Sequence, residues 1–329
     1  MTVVVTGASG FLGGRLTELL LEQGREVIAL GRNPAALARL ASLGATPHAG
    51  DLTDRTFLDR VIPGSATVVH CGALSSPWGR PADFYHSNVL ATQVLCSVAL
   101  EKGISRLVHI STPSVYVEKA SKEGICEGDP LPSTLINDYA DSKWKAEKIV
   151  GEYFQLGLET VILRPQGIFG PRDTAILPRL IRVAEKGFVP VMDECVRIDL
   201  TFVDNVVSAI LCAMSAGPES LGEVFNITNG EPVNQLETLE GLLGRLGYRV
   251  KRKHIPVERA WKIAATLEWL HRNFAPAREP LLTRYGVCTL AYTRTLSIEK
   301  AVKILGYRPA IGMAEGLERT IPWFARSRF

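Results

Sequence analysis

The stretch VVVTGASGFLGGRL, residues 3–16, runs from three valines through a glycine-rich turn into a helical pattern. Gly7, Gly10 and Gly13 fall in the spacing GxxGxxG, directly after a strand and at the opening of a helix. Each glycine has a mechanical reason to be there: a tight turn, close approach of backbone to a pyrophosphate, and close packing of helix on strand. Phosphate then sits on the helix N-terminus, where free N–H groups and the macrodipole favour negative charge. The spacing alone is weak, since glycines cluster by chance, but its strand–turn–helix setting makes it a dinucleotide site. Ser9, Phe11 and Leu12, in the same turn, count with the three glycines as cofactor contacts.

Outward from this turn the chain alternates short β-branched runs with helical patterns. TVVV (2–5), EVIAL (26–30), ATVVH (66–70), RLVHI (106–110) and TVILR (160–164) are too apolar for half-exposed strands and read as covered on both faces. Between them, segments such as GGRLTELLLEQG and NVLATQVLCSVALEKG carry apolar residues at three and four and end in glycine, as helices do. Strict alternation predicts an α/β fold, a Rossmann-like doubly wound parallel sheet. After Pro165 the pattern loosens. Residues 1–165 are expected to form the dinucleotide-binding domain, with 197–227 returning to it. Residues 166–196 and 228–329 then form a smaller, mostly helical substrate-binding domain facing the strand ends.

Bulk properties exclude several classes. With 46% hydrophobic and 22% charged residues over 329 positions, the chain is an ordinary globular protein with no disordered or low-complexity tract. The net charge of +3 is dispersed, and RVKRKH (249–254) reads as a solvated edge, so no nucleic-acid partner is expected. Cys71, Cys96, Cys126, Cys195, Cys212 and Cys288 form no CxxC pair, and the six histidines show no ligand spacing and read as structural. No metal site or disulfide framework is expected, and a reducing cytoplasm fits. The opening MTVVVTGASG lacks a signal-peptide pattern, and no apolar run approaches the roughly 18 residues of a membrane span.

Two further features speak to chemistry. DYADSK (138–143) puts Tyr139 and Lys143 four positions apart at a helix start, on one face. A hydride exchanged with nicotinamide requires a proton to be exchanged with the substrate oxygen, and an unassisted phenol is a poor proton shuttle at neutral pH. A cation about 4 Å away contributes about 4 kcal/mol at an effective dielectric of about 20, enough to draw the phenol from near 10 towards working pH. The second feature is VIALGRN (27–33). Gly31 stands where an NAD-preferring site offers an acid to the ribose, and Arg32 follows, able to meet a 2′-phosphate bidentately. NADP(H) is therefore favoured, with NAD(H) the alternative. In AGDLTD (49–54), Asp51 and Leu52 are placed to flank the adenine.

Taken in order, TGASGFLG, HCGAL, HSNVLAT, ISTPSVY, YADSK, LRPQGIFGPRD and TFVDN resemble the motifs of the extended short-chain dehydrogenase/reductases along the length of the chain. The resemblance implies that Tyr139 is the proton donor and acceptor and that Lys143 also holds the nicotinamide ribose. It implies that Thr112 is the catalytic hydroxyl, with Ser111 the neighbouring candidate, and that Gly72, Ala73, Asn88 and Pro165 join the cofactor site. Homodimers through paired helices are common in that family.

Members acting on sugar nucleotides carry an asparagine after the sixth strand, where this chain has Gly167. HISTPSVY, SSPWGRPADFYHSNVLAT, RIDLTFVDN and REPLLTR are instead similar to the 3β-hydroxysteroid dehydrogenase branch, which includes bacterial 2-alkyl-3-oxoalkanoate reductases. The expected activity is interconversion of a ketone and a secondary alcohol on a bulky apolar molecule. A sugar-nucleotide epimerase or dehydratase with tightly held NAD is the first rival, and a non-catalytic NADP-binding sensor the second. In ERAWKIAATLEWLHRNFA (258–275), Ile263, Leu267, Leu270 and Phe274 form one stripe with Trp261 and Trp269 at its margins. The stripe is expected to roof an apolar channel, to lie on a membrane surface, or to pack within the small domain.

Overall fold

The computed structural model describes residues 2–326. Seven strands, β1 (Val3–Thr6), β2 (Val27–Gly31), β3 (Thr46–Ala49), β4 (Thr67–His70), β5 (Arg106–Ile110), β6 (Thr160–Pro165) and β7 (Val224–Ile227), form one sheet in the order β7-β6-β5-β4-β1-β2-β3. Every pairing in it is parallel. The expected doubly wound sheet is therefore present. The apolar runs are explained by burial on both faces: Val3 and Val5 pack on one side with Leu16 and Leu20 of α1 (Phe11–Glu22), and Val4 on the other with Phe57 and Leu58 of α3 (Arg55–Val61). Each such valine contributes about 1.5–3 kcal/mol by leaving water. β3 is the exception, an exposed edge strand, and the edge is where its Pro47 costs no ladder bond.

From β1 the chain winds outward through β2, α2 (Pro34–Ala41) and β3, then crosses to the other side of β1 to lay down β4. The carboxyl ends of β1 and β4 therefore flank the point where the winding reverses, the usual ligand crevice of such sheets. Two helices join α3 on the second face. α4 (Ala91–Glu101) continues from a π-helical turn, Tyr85–Leu90, and α5 (Asp138–Gln155) begins at Asn137, whose side chain accepts the Ala140 amide at 2.9 Å. Asp138 and Asp141 in that first turn suit the positive end of the helix dipole.

Beyond β6, α6 (Val203–Ser215) packs back under the sheet, and the remaining chain lies across the strand ends. A four-stranded sheet there joins Val233–Asn234, Arg197–Ile198, Arg294–Leu296 and Lys122–Ile125, so one of its strands comes from the first half of the chain. Next to it lie α7 (Val257–Phe274) and α8 (Arg284–Ala291). α7 does not pack through the stripe read from its sequence. Its buried residues are Ala260 and Ala264, set against Val287 of α8, because two alanines one turn apart admit the neighbouring helix closely. Ile263, Trp269, Leu270 and Phe274 face outward, Phe274 with 77% of its surface exposed. No helix among the described residues is long and apolar enough to cross a membrane.

Candidate active site

The glycine turn is built as its spacing predicts. Gly7 takes φ +65, and a Cβ there would sit 2.7 Å from the Gly72 amide nitrogen, so the turn lies directly against the loop leaving β4. A Cβ on Gly13 would fall 2.4 Å from the Gly7 carbonyl oxygen. Gly10 opens α1 with no side-chain cap, and the first turn contains no acid. Its leading N–H groups are thus left to an external anion, and the cradle fits the diphosphate of a dinucleotide. Ser9, Phe11 and Leu12 lie on this turn, the last two half-buried against the cluster that includes Phe169, Phe202 and Val203.

At the end of β2, a Cβ on Gly31 would meet the Ser9 hydroxyl at 2.6 Å, so this turn has no room for an acid. Arg32 is exposed beside it and acts electrostatically on Asp51. Burial works to raise the Asp51 carboxyl, but the amide and hydroxyl of Thr53, both at 2.8 Å, with the charges of His86 and Arg32, hold it below its ordinary value. Leu52 packs on Gly72, where an added Cβ would lie 2.7 Å from its methyl. Ala73 is exposed in the same loop, and Pro165 ends β6.

Asn88, fully buried in the π-turn, is used differently from expectation. Its amide accepts the Leu74 N–H at 2.7 Å, donates to the Leu74 carbonyl at 3.2 Å and donates to Ser142 at 2.9 Å. Both amide atoms are thereby engaged, and Asn88 shapes the loop after β4 and ties it to α5 rather than offering its side chain to the crevice.

Ser111 and Thr112, adjacent at the end of β5, diverge. Ser111 donates to Glu147 inside the protein, whereas the Thr112 hydroxyl lies close enough to the phenol of Tyr139 to act on it. Neighbouring residues on an extended strand point to opposite sides, and the alternation turns Thr112, not Ser111, towards Tyr139. Two residues absent from the sequence reading complete the cluster: Ser75 also acts on the Tyr139 phenol, and Ser114 receives the Thr112 hydroxyl at 3.0 Å.

The expected coupling of Lys143 to Tyr139 takes another form. Burial pushes the phenol above its usual value, while Ser75 and Thr112 pull it down. The ammonium of Lys143, 2% exposed, donates instead to the Ile110 carbonyl at 2.7 Å and lies 3.2 Å from Nε2 of His109. Its helix position puts it on Tyr139's face, but its ammonium reaches the carbonyl at the end of β5. Burial lowers Lys143 to about 8, against the pull of Glu147.

His109, read as structural from its isolation in sequence, is therefore a neighbour of Lys143. Burial and that cation hold its imidazole neutral, so Nε2 accepts from the ammonium. His70, lowered to about 3 by burial, is structural: the Thr92 hydroxyl donates to the Asn88 carbonyl at 2.6 Å, so it accepts Nε2–H of His70 at 3.0 Å. Nδ1 of His70 then accepts from Thr6 at 2.7 Å, and Thr6 accepts the Gly72 amide at 3.1 Å, which sets the loop against the glycine turn.

Over the first turn of α5 lies an open cleft of about 480 Å³, lined in part by Pro77, Trp78, Asn137, Trp144 and Arg272. Arg272 of α7 closes one side, donating to Asp138 at 2.6 Å and to the Gly79 carbonyl at 3.1 Å, with its guanidinium 4.5 Å from the centre of the Trp78 ring.

Residues 3–228 match the family described as the NAD dependent epimerase/dehydratase family. Two curated proteins are similar over nearly their whole length. One is 4-hydroxy-2-methyl-3-oxo-4-farnesyl-3,4-dihydroquinoline-1-oxide ketoreductase of Stigmatella aurantiaca, 35% identical over 97% of this chain and 95% of its own. The other is 2-alkyl-3-oxoalkanoate reductase of Stenotrophomonas maltophilia, 33% identical over 97% and 98%. Among solved structures, the dTDP-glucose 4,6-dehydratase of Streptomyces venezuelae with NAD bound superposes with a TM-score of 0.79 at 26% identity, covering 100% of this chain and 98% of that one.

Proposed function

The chain belongs to the NAD dependent epimerase/dehydratase family, and from that premise we propose that it is an NADP(H)-dependent oxidoreductase interconverting a 3-oxo group and a secondary alcohol on a bulky apolar substrate. The observation that carries this reading is the hydroxyl pair Tyr139–Thr112 at the end of β5, beside a buried lysine and next to a turn that fits a diphosphate. The ketoreductase and oxoalkanoate reductase similarities support the same reaction class.

The turn of Gly7, Ser9, Gly10, Phe11, Leu12 and Gly13 holds the diphosphate, Asp51 and Leu52 flank the adenine, Gly72 and Ala73 line the crevice, and Lys143 holds the nicotinamide ribose. The dinucleotide, when bound, supplies or takes the hydride. Thr112 fixes the substrate oxygen and Tyr139 gives it a proton as charge builds there. A phenol raised by burial keeps its proton at neutral pH, which suits reduction. Exposed Arg32, with Gly31 closed to any side chain, supports a 2′-phosphate over a free ribose hydroxyl.

The similarity to sugar-nucleotide dehydratases keeps a second reading in view. Against it, Gly167, at φ +52, stands where those members carry the asparagine that holds a sugar diphosphate.

The test is NADPH consumption against steroid, 3-oxo and nucleotide-sugar panels. The 3-oxo or steroid ketones should be reduced, and Tyr139→Phe should bind NADPH as before while losing about 10²-fold or more in turnover. Turnover of a nucleotide sugar with retained NAD would hand the site to the second reading, and an active Tyr139→Phe variant would remove the assigned donor. Arg32→Asp should move preference towards NADH; an unchanged NADPH to NADH ratio takes Arg32 out of the argument.

A further inference from the structure

The turn that follows β5 brings a further hydroxyl to Thr112. Ser114, 6% exposed, lies in the single turn Pro113–Tyr116. Its backbone N–H donates to the Thr112 hydroxyl at 3.2 Å, and its own hydroxyl accepts from Thr112 at 3.0 Å. On its other side the Ser114 hydroxyl meets that of Tyr285 at 3.2 Å, across 171 positions of the chain. Three hydroxyls therefore stand in a line, Tyr285–Ser114–Thr112, with the half-buried phenol at its outer end.

Tyr285 is seated by contacts that do not use its hydroxyl. Thr283 caps α8 by accepting the Gly286 amide at 3.0 Å, and Arg284 donates its backbone N–H and its guanidinium to Glu268 of α7, each at 2.6 Å. Val287, one turn into α8, is fully buried against Ala260 and Ala264. The close docking of α8 on the two alanines thus also fixes where this phenol meets the turn after β5.

A hydroxyl has one hydrogen and two lone pairs, so a line of them can run in either direction. In the empty site Thr112 gives its hydrogen to Ser114, which leaves none for a substrate oxygen. The line reverses when Tyr285 donates to Ser114, Ser114 to Thr112, and Thr112 to the substrate. A phenol is more acidic than an aliphatic hydroxyl and is the stronger donor, so it favours this reversed order, and each bond in such a line strengthens the next.

We propose that Tyr285 is a positioning residue: acting through Ser114, it sets the Thr112 hydroxyl to donate to the substrate oxygen. The inference rests on the oxidoreductase reading given above. No atom is exchanged at Tyr285. Three hydroxyl hydrogens rotate together, while hydride and proton pass to the substrate from the dinucleotide and Tyr139.

The experiment uses the full chain with NADPH and two ketones, a long-chain 3-oxo ester and a 3-ketosteroid. Tyr285→Phe keeps the ring and removes only the hydroxyl, and should lower kcat by about three- to tenfold, the worth of one hydrogen bond, with KM and NADPH affinity unchanged. 3-Fluorotyrosine in place of Tyr285, a stronger donor of nearly the same size, should hold kcat at the wild-type value or above it. Thr112→Val should cost more, and adding Tyr285→Phe to it should cost nothing further, because the line then has no end to set. A Tyr285→Phe enzyme as fast as wild type, or a loss undiminished in the Thr112→Val background, would overturn the assignment while leaving the oxidoreductase reading intact. Reduction of neither ketone by wild type would reject that reading, and the role of Tyr285 with it.

Discussion

At the scale of single residues, the chemistry turns on how burial divides protons between Tyr139 and Lys143. Desolvation raises the phenol and lowers the ammonium, so each neutral form is favoured inside. With Lys143 lowered to about 8, its charge is present at neutral pH and is lost above that value. The rate of ketone reduction should then fall as pH rises through about 8, and Lys143→Arg, though slower throughout, should carry its activity to higher pH because a guanidinium stays charged. A pH–rate profile in which both proteins fall together would dismiss Lys143 as the titrating group. Stability should move the opposite way. Between about 8 and 10.5 the unfolded chain keeps a proton on this lysine that the folded chain sheds, so stability rises with pH across that window, by about 3 kcal/mol on the linkage relation. Urea midpoints of wild type and Lys143→Met across that window isolate the contribution. The residue scale is also where sequence reading was least complete. Ser111 and Thr112 carry the same chemistry side by side, and nothing local states which one turns inward. His109 gained its relation to Lys143 from the pairing of β5 beside α5, a contact between residues with no sequence signal in common.

At the scale of elements, α7 shows how a correct periodicity yields an incorrect face. The stripe of Ile263, Leu267, Leu270 and Phe274 is real, yet the helix docks through Ala260 and Ala264, because close approach to α8 rewards small residues as much as large apolar ones. Val257 and Trp261 pack beside the two alanines and Arg272 reaches the first turn of α5, which leaves Trp269 and Phe274 in water with their rings 6.4 Å apart. That exposure keeps the membrane-surface expectation as a proposal. Wild type should co-sediment with phosphatidylglycerol vesicles, and Trp269→Ser with Phe274→Ser should weaken binding by about tenfold or more, given the apolar area removed. A wild-type protein that stays in the supernatant ends the idea. By contrast, α1 and its glycine turn were legible because every constraint on them is local: Gly7 needs its positive φ and close approach whatever else the chain does.

At the scale of the molecule, one buried polar chain joins the sheet to the helix that carries Tyr139. Glu147 of α5 accepts from Arg164 of β6 at 2.9 and 2.5 Å, Arg164 donates to Tyr116, Tyr116 donates to the side chain of Asn226 of β7 at 3.1 Å, and the Asn226 backbone N–H donates to Glu127 at 2.7 Å. With both ion-pair side chains no more than 3% exposed, removing one partner strands the other. Arg164→Met should therefore cost about 3–5 kcal/mol of stability, while Glu147→Leu with Arg164→Met should recover much of it, since an apolar pair leaves no unpaired charge. Denaturant unfolding of the single and double variants decides it; additive losses would show that the pair is not coupled.

What the amino-acid order determined by itself is what depends on neighbours in the chain: the alternation of strand and helix, the mechanical turn at Gly7 to Gly13, the helix start that presents Tyr139, and the order of motifs that marks the family. Tertiary structure decided what depends on partners far away in sequence: which of two hydroxyls meets the phenol, that the lysine answers to a carbonyl, and which face of α7 is hidden. The reason is range. Backbone geometry and periodicity act over a few residues, whereas desolvation and hydrogen-bond competition are set only when the sheet brings separate strand ends together.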